Sequence, residues 1–380
     1  MKVVVVGTRG IPDISGGVET HCENLYPRIV AMGHDVTVVR RRCYVTDNNR
    51  ISEYKGVKLI DLYTPKKKSF EAIIHTFLAV IKTRRMKADV LHIHAIGPSI
   101  MAPLARLLGL KVVMTHHGPD YDRGKWGRMA KMVLKTGEKW GARFSHRVIV
   151  ISTVIADILR NKYGREDTDL IYNGVNTPNR SESTEYIESL GLEPKKYIVA
   201  IGRFVQEKGF HDLIEAYKRL DSKEVKLALV GDSDHPDKYS EELKRVGKDS
   251  GVVFTGFIKG EALNEISQNA ALFVLPSYHE GLPIALLEAM SQELDVVVSD
   301  IPANKIKELE DGDFFPVGNV DALATKIDEK LLTGIKHRKY NLTNYNWNHI
   351  AESTLKVYEQ VVEAGRKKKR KRSENDLAQQ

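Results

Sequence analysis

The chain has 380 residues, 42% of them hydrophobic, with a formal net charge of +8 at pH 7 and two cysteines. That length calls for two domains, each with its own core, and Cys22 and Cys43 alone exclude a disulfide scaffold and fit a reducing cytosol. No stretch approaches the roughly 20 apolar residues of a membrane-spanning helix, and the opening MKVVVVG is too short for a signal peptide.

In chain order, KVVVVG (2–7), DVTVV (35–39), VKLIDL (57–62), DVLHIH (89–94), KVVMTHH (111–117), RVIVIS (147–152) and DLIYNG (169–174) read as buried strands. Most are separated by enough chain for a crossover helix, which is the pattern of a parallel sheet covered on both faces. The polar segment 176–186 reads as a linker. The pattern then restarts with KYIVAIGR (196–203), KLALVGD (226–232), VVFTGF (252–257), ALFVLPS (271–277) and DVVVSD (295–300). Two tandem Rossmann-like α/β domains are expected, 1–175 and 176–345. Residues 346–365 read as one helix, with Ile350, Leu355, Val357, Tyr358 and Val361 available for burial.

The charge is bipolar. Residues 1–175 hold 29 Lys+Arg against 16 Asp+Glu, residues 176–365 hold 22 against 32, and 366–380 hold 7 against 2. Arg40–Arg42, Lys66–Lys68 and Lys82–Lys87 should therefore seek an anionic surface. The run RKKKRKR (366–372) repels itself and is expected to be a disordered tail, serving as a membrane anchor, a nucleic-acid contact or a solubiliser. In SFEAIIHTFLAVIKTRRMK (69–87), Phe70, Ile73, Ile74, Phe77, Leu78 and Ile81 form an apolar stripe flanked by basic residues. The first expectation for this stripe is packing on its own sheet, and the second is an interfacial helix.

Several residues suit ligand chemistry. Gly16 and Gly17 precede a helix whose backbone amides suit a phosphate, although the G-x-G-x-x-G of dinucleotide oxidoreductases is absent. His116 and His117 end a strand, and alternation lets at most one of them face a ligand. No Cys or carboxylate stands near them at zinc spacing. Arg203 and Lys208 follow the first strand of the second domain, where two cations can neutralise a diphosphate. Asp232–Asp234 and Asp311–Asp313 read as loop and helix-start chemistry, not as a cation site. Glu280 opens a loop after a buried strand, the usual ligand position in an open α/β sheet. Glu288 lies eight residues on, about two helical turns away on much the same face.

Taken together in that order, Gly16–Gly17, His117, Arg203, Lys208, Glu280 and Glu288 resemble the pattern of a retaining glycosyltransferase of family 4 with the GT-B fold. The resemblance covers nearly the whole chain. The opening VGTRGIP…GGVET and HHGPDYDRGKWGR further resemble bacterial rhamnosyltransferase-like enzymes of capsule and exopolysaccharide assembly. One departure is AMSQELDVVVSD (289–300), which lacks the family's usual Gly and Pro before the next strand.

The resemblance implies two Rossmann-like domains facing a central cleft, with a C-terminal helix crossing back to the first. It implies that Arg203 and Lys208 bind the donor diphosphate, Glu288 the ribose hydroxyls, and Glu280 the transferred sugar. Gly281, Leu282 and Pro283 would help place sugar and phosphate, and Gly16 and Gly17 would lie near the diphosphate. His117, not His116, would stand near the reaction centre. Phe257 would lie near the nucleobase and Asn173 at the hinge or cleft. No metal or cofactor is implied, and front-face attack would leave Glu280 a positioning group. The implied partners are a nucleotide-diphosphate sugar, a polyprenyl-diphosphate-linked or oligosaccharide acceptor and an anionic membrane surface at the inner face of the cell membrane, without nucleic acid. The competing readings are a GT-B nucleotide-sugar epimerase and a nucleic-acid-binding protein using its basic tail.

Overall fold

A computed structural model describes residues 1–65, 71–122, 127–178, 180–222, 224–233, 236–334 and 337–377, with the backbone alone for 368–377. Lys66–Lys68, Phe70, Asp234 and residues 123–126 of the GPDYDRGKWGR segment lie outside them. The chain divides into two compact units, Met1–Asn173 with Trp347–Gln380, and Gly174–Asn346.

The first unit carries β1 (Lys2–Val6), β2 (Asp35–Arg41), β3 (Glu53–Tyr54), β4 (Val57–Leu62), β5 (Val90–His94), β6 (Val112–His116), β7 (Arg147–Val150) and β8 (Thr168–Leu170). Their order is β3-β4-β2-β1-β5-β6-β7-β8. Every pairing is parallel except β3 with β4. The crossovers are α1 (Gly17–Ala31), α2 (Glu71–Arg85), α3 (Ala102–Leu107), α4 (Arg128–Phe144) and α5 (Thr153–Tyr163). Strand order reverses at β1/β5, so the loops after these two strands part and leave a crevice at their carboxyl ends.

The second unit repeats the plan with β9 (Tyr197–Ile201), β10 (Lys226–Val230), β11 (Val253–Gly256), β12 (Leu272–Leu275), β13 (Val296–Ser299) and β14 (Phe314–Phe315) in the order β11-β10-β9-β12-β13-β14. Its helices are α6 (Glu185–Ser189), α7 (Phe210–Arg219), α8 (Lys238–Asp249), α9 (Gly260–Gln268), α10 (Ile284–Ser291) and α11 (Val320–Leu332). Its reversal point lies between β9 and β12, which pair in parallel. Each unit is thus a Rossmann-like, doubly wound sheet.

The chain returns to the first unit through α12 (Trp347–Leu377). Trp347, Ile350, Ala351, Val357, Tyr358, Val361 and Val362 join Leu25, Tyr26 and Ile29 of α1 in one core with Val3 and Val5. Alternation along β1 sends Val4 and Val6 to the other face, into a core with Ala79 and Val80 of α2 and Ala102 and Ala105 of α3.

Three expectations are corrected. The helix α12 runs on to Leu377 and so carries the basic run expected to be disordered. Lys and Arg are good helix formers, and extending an existing helix needs no new nucleus. Arg40 does not face a partner. It is 1% exposed, and its guanidinium donates to Asp61 and to the carbonyls of Ile11, Asn49 and Ile51. Arg41 is likewise held by Glu71 at 2.8 Å. The α2 stripe does not pack on the sheet either. His75, Thr76, Ala79, Val80 and Thr83 turn inward, while Ile74 and Phe77 remain 37% and 44% exposed.

Candidate functional site

In the second unit, β9 and β12 lie side by side, so the loops leaving their carboxyl ends meet. The loop after β9 carries Arg203 and a short 3-10 turn, Gln206–Lys208, closed by Gly209 at φ 66°. A Cβ on Gly209 would stand 2.1 Å from the Pro276 carbonyl oxygen, so only glycine lets this turn approach the loop after β12. The approach is sealed by Tyr278 N–H donating to the Glu207 carbonyl at 2.9 Å.

Lys208 Nζ then reaches Glu280 Oε1 at 2.5 Å, and Ser277 Oγ donates to the same oxygen at 2.6 Å. The lysine side chain is 18% exposed and the glutamate 10%. A half-buried cation and acid held this way present charge to a ligand without freedom to wander. Arg203 is half-buried in the same loop.

Pro283 is the N-cap of α10 and brings no side-chain cap of its own. The Gly281–Leu282–Pro283 turn therefore delivers uncapped helix amides, which suit an anion. Glu288 lies one turn and a fraction into α10, half-buried. Burial pushes its carboxyl up to about 7, with Lys259 pulling the other way. Phe257 is 47% exposed, and Lys259 Nζ stands 5.7 Å from its ring centroid. A flat exposed ring beside a cation suits a stacked base.

Of the acidic pairs, Asp232 and Asp313 hold structural ion pairs, while Asp234 lies outside the described residues. Asp232 is held by Lys244 at 2.6 Å. Asp313 is 1% exposed and anchors both Lys330 and Arg338.

In the first unit, three loops converge at the β1/β5 reversal and the neighbouring β6. Gly16 sits at φ 143°, where a Cβ would meet Glu19 Oε2 at 2.1 Å. The Glu19 carboxylate accepts from Thr8 Oγ1 and Arg9 N–H, which ties down the loop ahead of α1 and leaves Gly17 exposed at the helix start.

His116 and His117 point apart, as strand alternation requires. His116 Nδ1 accepts from Gly118 N–H, so its Nε2 donates to Glu138 at 2.8 Å, both side chains being fully buried. Burial pushes the Glu138 carboxyl up, but hydrogen bonds from His116, Tyr163 and Tyr121 outweigh it and hold it below its ordinary value. This is a load-carrying node of the core, not a ligand site.

His117 instead joins a polar chain. His117 Nε2 lies 2.8 Å from His94 Nδ1, His94 bonds the Tyr26 hydroxyl, Tyr26 meets His92 Nδ1 at 3.0 Å, and His92 meets the Tyr358 hydroxyl at 2.6 Å. His21 packs edge-on to His117, its ring 5.0 Å away, and donates from Nδ1 to Asn173 Oδ1 at 3.0 Å. Asn173 thus serves as an orienting group for His21. Burial lowers His21 to about 4 and His92 to about 3, and holds His94 and His117 well below their ordinary value, so all four are neutral at pH 7.

One ring nitrogen of each of His21, His94 and His117 lies within 4.8 Å of the other two, a donor set that could take a zinc-type ion. Spacing around His117 did not suggest one, because the donors come from α1, β5 and the loop after β6. Ser277, Lys259, His21 and His94 were also missed. A signal existed for His94, since VLHIH puts His92 and His94 on one face of a strand.

The fold resembles the sucrose-phosphate synthase of Thermosynechococcus elongatus, with a TM-score of 0.81 at 22% identity over 96% of this chain and 99% of that one. An uncharacterized glycosyltransferase of Methanocaldococcus jannaschii is 26% identical over 96% of this chain and 99% of its own length. The N,N'-diacetylbacillosaminyl-diphospho-undecaprenol alpha-1,3-N-acetylgalactosaminyltransferase of Campylobacter jejuni is 27% identical over 63% of this chain and 67% of its own. Neither name specifies rhamnose, so the rhamnosyl expectation gains nothing from them. The family described as Glycosyltransferase Family 4 matches residues 15–178, and that described as Glycosyl transferases group 1 matches 182–347. Each half of the chain thus matches a glycosyltransferase family, the first half that of family 4 and the second that of group 1.

Proposed function

We propose that this chain transfers a sugar from a nucleotide-diphosphate donor to a lipid-linked or oligosaccharide acceptor, with retention at the anomeric carbon, in bacterial surface polysaccharide synthesis. The observation that carries the donor assignment is the Lys208–Glu280 pair at the β9/β12 reversal, with Arg203 in the same loop and the uncapped start of α10 beyond it. Arg203, Lys208 and the helix amides take the diphosphate, so charge growing on the leaving group meets preorganised donors and no metal is needed. Glu288 accepts from the ribose hydroxyls, Phe257 stacks on the base, and Glu280 holds the transferred sugar as a positioning group.

The acceptor belongs to the first unit, with His117 neutral and therefore able to accept or pass a hydrogen bond without bringing charge. A diphospho-undecaprenol acceptor in the name of the Campylobacter relative supports a lipid-linked substrate, as does the basic first half of the chain. Among the described residues no helix is long and apolar enough to cross a membrane. The basic first half of the chain supports a peripheral place on the anionic inner face. Thermal-shift screening against nucleoside diphosphates and their sugars tests this reading, since a ligand of the folded form raises apparent stability by mass action. Stabilisation by one diphosphate that is lost in Arg203→Ala and Lys208→Ala supports it, and no stabilisation by any of them defeats it.

A further inference from the structure

The helices α2, α3 and α4 lie on the same side of the first sheet. Ala79, Val80, Ala102 and Ala105 share one core, and Phe144 at the end of α4 packs against it. Their outward surface is unusual in two ways. It holds Ile74, Phe77, Leu107, Met129, Met132 and Trp140, each at least 37% exposed and Leu107 and Met129 at 84% and 79%. A soluble protein scatters such residues singly, whereas here they share one layer of three helices.

The second feature is charge. The three helices carry Lys82, Arg84, Arg85, Arg106, Arg128, Lys131, Lys135, Lys139 and Arg143 against only two acids, Glu71 and Glu138. Both acids turn inward, where Arg41 with Tyr44, and His116 with Tyr121 and Tyr163, occupy them. The outward face of these helices therefore has no acid. Lys131, Lys135 and Lys139 repeat at four-residue spacing, which sets like charges beside each other on a helix and costs stability unless an anion answers them. Among the described residues none of the three has an ion-pair partner, and only Lys135 is answered at all, by the Tyr121 ring 5.4 Å from its Nζ. With Arg128, Met132 and Tyr163 they line a shallow hollow of about 460 Å³.

We propose that the outward face of α2, α3 and α4 is the surface by which this protein docks on an anionic phospholipid bilayer. The lysine row of α4 meets headgroup phosphates, and Phe77, Leu107, Met129, Met132 and Trp140 enter the headgroup boundary. Cations mixed with thioether and aromatic side chains on one face match that interface, whereas a nucleic-acid surface would have little use for exposed Leu and Met. The assignment rests on the reading of a membrane-borne acceptor and moves the contact from the C-terminal basic run to the helix layer.

The test is flotation of the full chain with vesicles of phosphatidylcholine alone and with phosphatidylglycerol added. Wild type should float only with the anionic vesicles. Lys131→Gln with Lys135→Gln and Lys139→Gln should lower partitioning on the order of 100-fold, and Met129→Ser with Met132→Ser should weaken it and make the remainder salt-labile. Both variants should keep the wild-type thermal shift with whichever nucleoside diphosphate stabilises the wild type, which shows that they fold and that donor binding stands apart from docking. Wild-type flotation by the triple variant overturns the assignment, as does loss of flotation on deleting 366–380 with the lysine row intact. Failure of wild type to float ends the docking proposal while leaving the donor reading to its own test. Equal or tighter binding of a single-stranded RNA to the same lysine row also overturns it.

Discussion

Lys208 Nζ and Glu280 Oε1 stand 2.5 Å apart although 72 residues separate them in the chain. In the proposed donor site these two groups serve different parts of one donor, so donor binding is expected to exchange this contact for contacts with the ligand. Lys208→Ala is expected to cost about 3 kcal/mol in kcat/KM and to weaken nucleoside diphosphate binding in calorimetry. Glu280→Gln should behave differently, with transfer lowered but diphosphate affinity kept or raised, because Lys208 is released from its acid. Wild-type diphosphate affinity in Lys208→Ala would sink the assignment.

Glu288 gives a pH signature. Burial raises its carboxyl from 4.5 to about 7, so the folded chain holds a proton there that the unfolded chain has lost. Its contribution is present below pH 4.5 and is lost as pH rises through about 7. Glu288→Gln should therefore be more stable than wild type above pH 7, on the order of 2 kcal/mol, with the gap closing toward pH 4.5. Donor affinity of wild type should climb across pH 6 to 8 as the carboxylate forms, and Glu288→Gln should flatten that climb. Parallel melting curves at several pH values and titrations of the donor check both.

The four buried histidines act with the opposite sign. Their folded values lie below the ordinary 6.5, so the unfolded chain binds protons that the folded chain refuses. Stability is full above pH 6.5 and falls as pH drops, by up to about 5 kcal/mol per unit if all four titrate only on unfolding. His94→Asn should make the fall shallower and lower turnover through loss of the 2.8 Å bond to His117. A melting temperature unchanged between pH 7.5 and 5 would show that these rings are not held neutral.

Gly209→Ala combines a positive φ with a Cβ 2.1 Å from a carbonyl oxygen. The turn must move, and Lys208 moves with it. A loss of about 2 kcal/mol in stability is expected, together with weaker diphosphate binding at temperatures where the variant is still folded. Calorimetry below the melting transition separates the two effects. Unchanged binding would mean that the turn does not position Lys208.

The sequence by itself determined the two sheets, because buried parallel strands need β-branched runs whatever surrounds them. It also determined that Arg203 and Lys208 follow strand β9 and that Glu280 and Glu288 follow strand β12, by position alone. Tertiary structure decided which of these meet. Strands β9 and β12 are neighbours only because strand order reverses between them, and no local pattern encodes that reversal. The same holds for His21, His94 and His117, whose donors come from three elements. Charge misled most, because a count along the chain cannot tell the buried, satisfied guanidinium of Arg40 from the open lysine row of α4. That distinction depends on what each side chain faces, and facing is a property of the packed helices alone.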